Sequence, residues 1–344
     1  MKKSRVLVLL HRDLTPKEGI AAPEVKPEWR MEWNVVTNLR ERGHELMLIE
    51  VHDDLTPIRQ ALDEFKPTIA FNLLEAFDDV VVFDQNVVSY LELLRVPYTG
   101  CNPRGLVLAR NKALARKLLA YHRIPSPDFT VVALDRKPTL PKRLSYPLIV
   151  KSLTYEASAG ISQASIVANE EQLAKRVRFI HQTFRTPAIV EQYIDGRELY
   201  VGVLGNHRLQ VYPVWEMSFD KMQGDNWRIA TERVKWNVNY QERHGIETAE
   251  AQLPAEVAAR VQHLAKRTYR ALELSGYARI DFRMDARGVP YVIEANPNPQ
   301  LAEQEDFAQS AAKSGVAYPV LLERIMTLGV RWQPTLIASS LTLD

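Results

Sequence analysis

Two late runs place acidic and amide side chains in strongly apolar surroundings: Ala278-Arg279-Ile280-Asp281-Phe282-Arg283-Met284-Asp285 and Pro290-Tyr291-Val292-Ile293-Glu294-Ala295-Asn296-Pro297-Asn298. The Ala286-Arg287-Gly288 segment between them suits a turn, so the runs predict a hairpin. Side chains alternate along a strand, so Glu294 and Asn296 share one face, and the turn sets Asp281 within about one residue of opposite Glu294. Asp, Glu and Asn oxygens without imidazole or thiolate suit Mg²⁺, with Mn²⁺ as a substitute, and waters and substrate phosphates complete such a shell. Acidic residues in hairpins ordinarily face solvent. Here Tyr277, Ile280, Phe282, Tyr291, Val292 and Ile293 surround them, where an unpaired carboxylate is costly. The hairpin therefore reads as a phosphate-handling metal site.

Lysines at two places suit the same chemistry. Lys151 ends the apolar run Leu148-Ile149-Val150, and Thr154-Tyr155-Glu156-Ala157-Ser158-Ala159-Gly160 after it can bring backbone N–H groups close to phosphates. Lys112 lies in a basic helical stretch with Arg110, Arg116 and Lys117, which by composition alone is a solvated face. Familiar alternatives are missing: there is no Gly-x4-Gly-Lys-Ser/Thr loop and no Gly-x-Gly-x-x-Gly after the first strand. Ser218-Phe219-Asp220-Lys221 has the Ser-x-x-Lys spacing of acyl-enzymes without its partners, and His11-Arg12-Asp13 matches a kinase catalytic loop only as letters.

The elements that must position these groups can be traced along the 344 residues. Arg5 to Leu10, Glu45 to Val51 and Thr68 to Leu73 read as strands. Helical patterns fill Glu28 to Arg42 and Thr56 to Phe65, giving a β-α-β-α-β order and a small parallel sheet with ligands beyond its carboxyl strand ends. Asp84 to about Arg95 is helical, and Asn102-Pro103 caps a predicted long helix through Tyr121. Strands follow at Leu148 to Ser152, Ile161 to Ala168, Ala188 to Ile194, Glu198 to Leu204 and Leu209 to Met217, with a helix at Glu170 to Phe184. Ser218 to Gln252 lacks periodicity and is too long for an ordinary connection. Helices at Pro254 to Leu274, near Leu301 to Lys313 and at Tyr318 to Leu328 complete the pattern.

Composition narrows the function classes. With 44 basic and 42 acidic residues, and no Lys/Arg cluster among aromatics, nothing favours a nucleic-acid partner or an anionic membrane. The single Cys101 excludes an internal disulfide framework and fits a reducing compartment. The apolar run Val6 to Leu10 is too short for a signal peptide or membrane span, so the expected setting is cytoplasmic.

Taken in order, five motifs resemble those of ATP-grasp ligases, most of all the D-alanine:D-alanine ligase branch. They are Ala109-Arg110-Asn111-Lys112; Pro147 to Lys151 with its small-residue loop; Ile189-Val190-Glu191-Gln192-Tyr193-Ile194 followed by Gly196-Arg197-Glu198-Leu199; Arg279-Ile280-Asp281; and Glu294-Ala295-Asn296. The resemblance implies an α/β chain with α+β elements and an ATP-grasp fold. A Rossmann-like N-terminal domain would occupy 1–102, a central subdomain 103–195, a C-terminal subdomain 196–330 and a tail 331–344. It further implies that Lys112 and Lys151 contact ATP phosphates, that Ser158 and Gly160 belong to a flap over them, and that Glu191, Gln192, Tyr193 and Ile194 form an adenine-reading hinge. Glu198 would take the ribose hydroxyls. Lys235 would sit on a mobile substrate loop near the γ-phosphate, and Arg279 would stabilise the developing oxyanion. Asp281, Glu294 and Asn296 would hold Mg²⁺. A homodimer follows by analogy alone.

The chain also departs from that branch. His11-Arg12-Asp13-Leu14-Thr15-Pro16-Lys17-Glu18 replaces the Gly-rich loop after the first strand, Asn72-Leu73-Leu74-Glu75-Ala76 replaces Asn-x-x-His-Gly, and Gln300 and Glu305 stand where a Gly and a Ser would face the acceptor carboxylate. An acid facing a carboxylate is repulsive. The expectation is an ATP-dependent carboxylate–amine ligase acting on amino acids or peptides, with Glu75, Glu305 or Asp306 reading a cationic or longer acceptor. A true D-alanine:D-alanine ligase and an ATP-binding phosphotransferase without ligation are the alternatives, and the missing Gly fingerprint weighs against a dinucleotide oxidoreductase.

Overall fold

Three sheets carry the fold in the computed structural model, which describes residues 3–16, 19–155, 160–219, 227–231, 234 and 238–334. The first is parallel. It combines β1 (Arg5–His11), β2 (Glu45–Val51) and β3 (Ile69–Asn72) in the order β2-β1-β3, with α1 (Arg30–Glu41) and α2 (Thr56–Phe65) as crossovers. Five consecutive β1 residues are buried, as a central parallel strand covered on both faces requires. Leu7 and Leu9 enter one core cluster, while Val6, Val8 and Leu10 enter another.

After α3 (Asp84–Leu93), the segment predicted as one long helix is two: α4 (Pro103–Arg110) and α5 (Lys112–Tyr121). Asn111 between them leaves the helical region, with φ −86° and ψ 95°, and its side chain accepts from the Leu114 N–H as an N-cap. The second sheet is antiparallel, in the order β4-β7-β5-β6. It contains β4 (Phe129–Val132), β5 (Leu148–Ser152), β6 (Ile166–Val167) and β7 (Ala188–Gln192), with α6 (Glu170–Phe184) before β7. β4, set among prolines, is a strand the pattern did not suggest. The strand expected from Ile161 shrinks to Ile166–Val167, because a capped 3₁₀ turn occupies Gln163–Ser165.

The third sheet runs β10-β9-β8-β11-β12 and is antiparallel throughout. Its strands are β8 (Arg197–Leu204), β9 (Gln210–Ser218), β10 (Glu247–Glu250), β11 (Tyr277–Met284) and β12 (Pro290–Pro297). Within the stretch after Ser218 that lacks periodicity lie α7 (Val238–His244) and the edge strand β10. α8 (Ala255–Ala271), α9 (Asp306–Lys313) and α10 (Tyr318–Val330) follow. α9 starts later than expected, at Asp306.

The cores show which elements pack together. Leu7 and Leu9 of β1, Leu106 of α4, Leu119 of α5, and Val201 and Ile280 of the third sheet belong to one cluster, whereas the second sheet packs its own small core from Val132, Leu148, Val177 and Val190. No helix among the described residues is long and apolar enough to cross a membrane.

Candidate active site

β11 and β12 pair so that Asp281 lies directly opposite Glu294 and Arg279 opposite Asn296. Opposed residues of an antiparallel pair project from the same face, so all four side chains share one surface. On the other side of β11, Asp281 pairs with Tyr200 and Arg283 with Glu198, which brings β8 to the same surface. A bulge between Asp281 and Phe282 passes over Ile293, letting Val292 join Phe282 in the core while Glu294 and Asn296 face the site. The resulting donor set, two carboxylates and an amide oxygen, fits a hard divalent ion.

Cations hold these carboxylates in place. The Arg279 guanidinium donates to both oxygens of Asp281, at 2.8 and 2.9 Å, and lies 3.7 Å from Asp306. Desolvation alone would lower its pKa, but the charges of Asp281 and Asp306 outweigh that and hold it charged. Lys112 Nζ lies 3.0 Å from Glu294 Oε1 and donates to the Tyr155 carbonyl at 2.7 Å, tying α5 to the hairpin and to the start of the small-residue loop. The helix break at Asn111 puts this lysine in the first turn of α5. It is 7% exposed, so it is no solvated face.

Lys151 reaches Glu191 Oε2 at 3.0 Å, and Arg116 reaches Glu191 Oε1 at 2.7 Å. Burial would raise the Glu191 carboxyl, but Arg116 and Lys151 reverse this and hold it below the usual range. The Glu191 side chain is therefore a buried anchor, and only backbone groups of this residue remain to read a ligand. The Gln192 side chain likewise faces the sheet, donating to the Pro147 carbonyl. Glu198 is bound by Arg283 at 3.1 Å and accepts from the Tyr200 hydroxyl at 2.9 Å.

A cleft opens between the second and third sheets. Lys151, Glu191, Glu198, Asp281 and Glu294 line it beside an apolar wall that includes Ile149, Ile161 and Ile229. Gln192, Tyr193 and Ile194 form its edge. Gly160 closes the small-residue loop at φ +68°, where an added Cβ would meet the Phe184 ring at 2.5 Å, and its carbonyl accepts from Arg176. Ser158 and Lys235 lie outside the described residues.

A second charged group lies near the N-terminal strand ends. Glu32 of α1 is 1% exposed, and its Oε2 has no hydrogen-bond partner. Burial, followed by the charge of Glu75, raises its pKa to about 7. Glu305, an N-cap whose residue surface is exposed, is also raised, by partial desolvation of its carboxyl and then Asp306, against Arg279 and Arg30. Asp306 lies 3.7 Å from the Arg279 guanidinium, within ion-pair distance. Sequence reasoning missed Glu32, Arg116 and Arg283. Glu32 sits between Met31 and Trp33 near the start of an amphipathic helix, and only its position among buried neighbours offered a signal.

Comparison with known proteins places the chain. The D-ala D-ala ligase C-terminus family model matches residues 118–327. A D-alanine–D-alanine ligase of Desulfotalea psychrophila is 32% identical over 290 residues, spanning 83% of this chain and 86% of that protein. An uncharacterized protein of Sinorhizobium fredii is 29% identical over 317 residues, or 90% of each. The crystal structure of D-alanine–D-alanine ligase from Bacillus anthracis complexed with ATP superposes with a TM-score of 0.73 at 22% identity, covering 95% of this chain and 98% of that one, and shows the same fold. The chain belongs to the D-alanine–D-alanine ligase family, ATP-dependent ligases of the ATP-grasp fold.

Proposed function

We propose that this protein joins a carboxylate to an amine at the expense of ATP, through an acylphosphate, and that its acceptor amine is not free D-alanine. The observation that carries the ligase reading is the meeting of Lys151, Asp281 and Glu294 in one cleft, with Lys112 bound to Glu294. Lys112 and Lys151 would contact the phosphates, Glu198 the ribose, and the hinge at 191–194 the adenine. Asp281, Glu294 and Asn296 would hold Mg²⁺, which neutralises charge on a transferring phosphoryl group. Arg279 borders the metal ligands and is fixed charged by Asp281, so it can donate to the oxyanion formed when the amine attacks. In this scheme 103–195 and 196–330 enclose the nucleotide between them, while 1–102 and 196–330 supply the substrate side.

The acceptor half rests on Glu32, Glu75 and Glu305. Of these only Glu32 is buried; its carboxyl, disfavoured as an anion by burial and then by the charge of Glu75, gains most from a bound cation. An ammonium-bearing side chain or a longer cationic acceptor supplies one, whereas a second free D-alanine presents its carboxylate.

Purified protein is incubated with ATP, Mg²⁺ and panels of amino acids and small peptides, with phosphate release and product mass as readouts. Phosphate release that requires both a carboxylate and an amine is expected. Release independent of any amine would favour a phosphotransferase. Efficient D-alanyl-D-alanine formation would refute the acceptor assignment and leave ligation intact.

A further inference from the structure

The His11-Arg12-Asp13 run, unrelated to kinase chemistry, ends β1 beside two residues distant in sequence. His11 Nε2 lies 3.3 Å from His52 Nδ1, at the end of β2, and 3.6 Å from Asp79 Oδ1; His52 Nδ1 lies 3.8 Å from the same oxygen. We propose that His11, His52 and Asp79 form a binding site for a divalent ion of the zinc class, separate from the hairpin site.

The spacing argues for coordination rather than a chance contact. Ligand atoms about 2.0–2.1 Å from a tetrahedral ion stand about 3.4 Å apart, and these three atoms approach that without rearrangement. The two rings meet edge to face at 84°, with a hydrogen bond between His11 Nε2 and His52 Nδ1 that a bound ion would replace. Both histidine side chains are largely shielded, at 18% and 13% exposure, while Asp79 at 74% leaves the site open to entering ions and to water. Ligation through Nε2 puts the His11 proton on Nδ1, where the Asp13 carboxylate at 3.6 Å replaces the present 3.4 Å contact from the Asp13 N–H. A carboxylate behind a ligating imidazole fixes its tautomer and raises its basicity.

The donor types differ from those of the hairpin. Two imidazoles and one carboxylate favour a borderline transition ion, whereas the all-oxygen hairpin set favours Mg²⁺. A second group, His52 with Asp53 and Asp78, shares one histidine but has two exposed carboxylates and lacks His11. The position also has a consequence. Asp79 belongs to the connection that leaves β3 and carries Glu75, and the Asp78 N–H already donates to the His52 carbonyl at 2.7 Å. An ion bound here would pin that connection across the ends of β1 and β2.

The test is titration of the full chain with Co²⁺ and Zn²⁺ in excess Mg²⁺ and a non-hydrolysable ATP analogue, followed by Co²⁺ ligand-field absorption and thermal melting. One tight ion per chain is expected, with absorption typical of mixed nitrogen and oxygen ligands and a melting temperature raised by Zn²⁺. His11→Gln and Asp79→Asn should each weaken binding on the order of tenfold or more and abolish the Zn²⁺ shift. Asp79→Asn, at an exposed position, should melt like the unsubstituted chain in EDTA, which separates lost binding from lost folding. Equal Co²⁺ affinity in unsubstituted and Asp79→Asn protein would overturn the site. So would binding that Glu294→Gln removes and His52→Gln does not, because the ion would then lie in the hairpin.

Discussion

Carboxylates are handled in opposite ways on the two sides of this molecule. Around the hairpin each acid has a cation: Arg279 for Asp281, Lys112 for Glu294, Arg283 for Glu198, and both Arg116 and Lys151 for Glu191. Near the N-terminal strand ends, burial and then the charge of Glu75 raise Glu32, whose Oε2 has no hydrogen-bond partner, and desolvation and then Asp306 raise Glu305 against Arg279 and Arg30. A charge-balanced surface is complete without its ligand and presents fixed cations to phosphates. A buried acid that carries a raised pKa is stabilised when a cation arrives, so under the proposed function the first side would suit a constant co-substrate and the second would set which amine is taken.

The hairpin side should show the largest effect. Glu294→Gln removes the charge of a proposed metal ligand and leaves Lys112 without this carboxylate, and ligation measured by phosphate release should fall on the order of 10²- to 10³-fold. A fall of less than about tenfold would mean that the chemistry does not depend on this face. Glu191→Gln should act on stability. It leaves Arg116 and Lys151 without their buried counter-charge, which costs about 3–5 kcal/mol, read as a lower denaturation midpoint.

On the N-terminal side the signature is pH dependence. Glu32 titrates near 7 in the folded chain against an ordinary 4.5, so folding favours its protonated form. The stability this contributes is complete below pH 4.5 and disappears as pH rises through about 7, a loss on the order of 3 kcal/mol. Glu32→Gln mimics the neutral acid and should flatten that decline in denaturant titrations. It should also raise KM for a cationic acceptor while leaving KM for ATP unchanged. An identical pH profile in the variant would place Glu32 in ordinary solvent contact.

The two sides were also unequally legible. The hairpin announced itself because strand alternation is a short-range rule: Glu294 and Asn296 share a face by spacing alone, and one Gly-containing turn set the register to Asp281. The cations that balance it come from α5, β5 and β11, and the partner of a charge such as Glu191 is fixed by packing that no local pattern encodes. The break between α4 and α5 shows the limit of propensity. The run around Asn111 is good helix-forming sequence, yet the chain uses the Asn side chain as a cap, and polar side chains of that kind serve interiors and caps alike until tertiary packing decides. Glu32 was hidden for a related reason, since an acid inside an amphipathic helix reads as solvent-facing unless its neighbours in the fold are known.

Lys151→Ala sharpens the comparison further. The lysine shares Glu191 with Arg116, so its loss leaves the carboxylate one partner and should spare the fold, while ATP affinity by calorimetry falls about tenfold, near 1.4 kcal/mol. Unchanged affinity would remove Lys151 from the nucleotide site.

The smallest effect should come from Asn111→Ala. Its side chain caps α5 by accepting from the Leu114 N–H at 3.0 Å, and losing such a cap costs about 1 kcal/mol. Alanine also has high helix propensity, so the substitution favours fusion of α4 and α5. That would rotate Lys112 away from Glu294 and the Tyr155 carbonyl, which it now reaches only because the first turn of α5 starts afresh. KM for ATP should therefore rise a few-fold with little change for the acceptor. If the acceptor KM moved instead, the helix break would serve the N-terminal side, and the division drawn between balanced and unbalanced charge would have to be redrawn at α5.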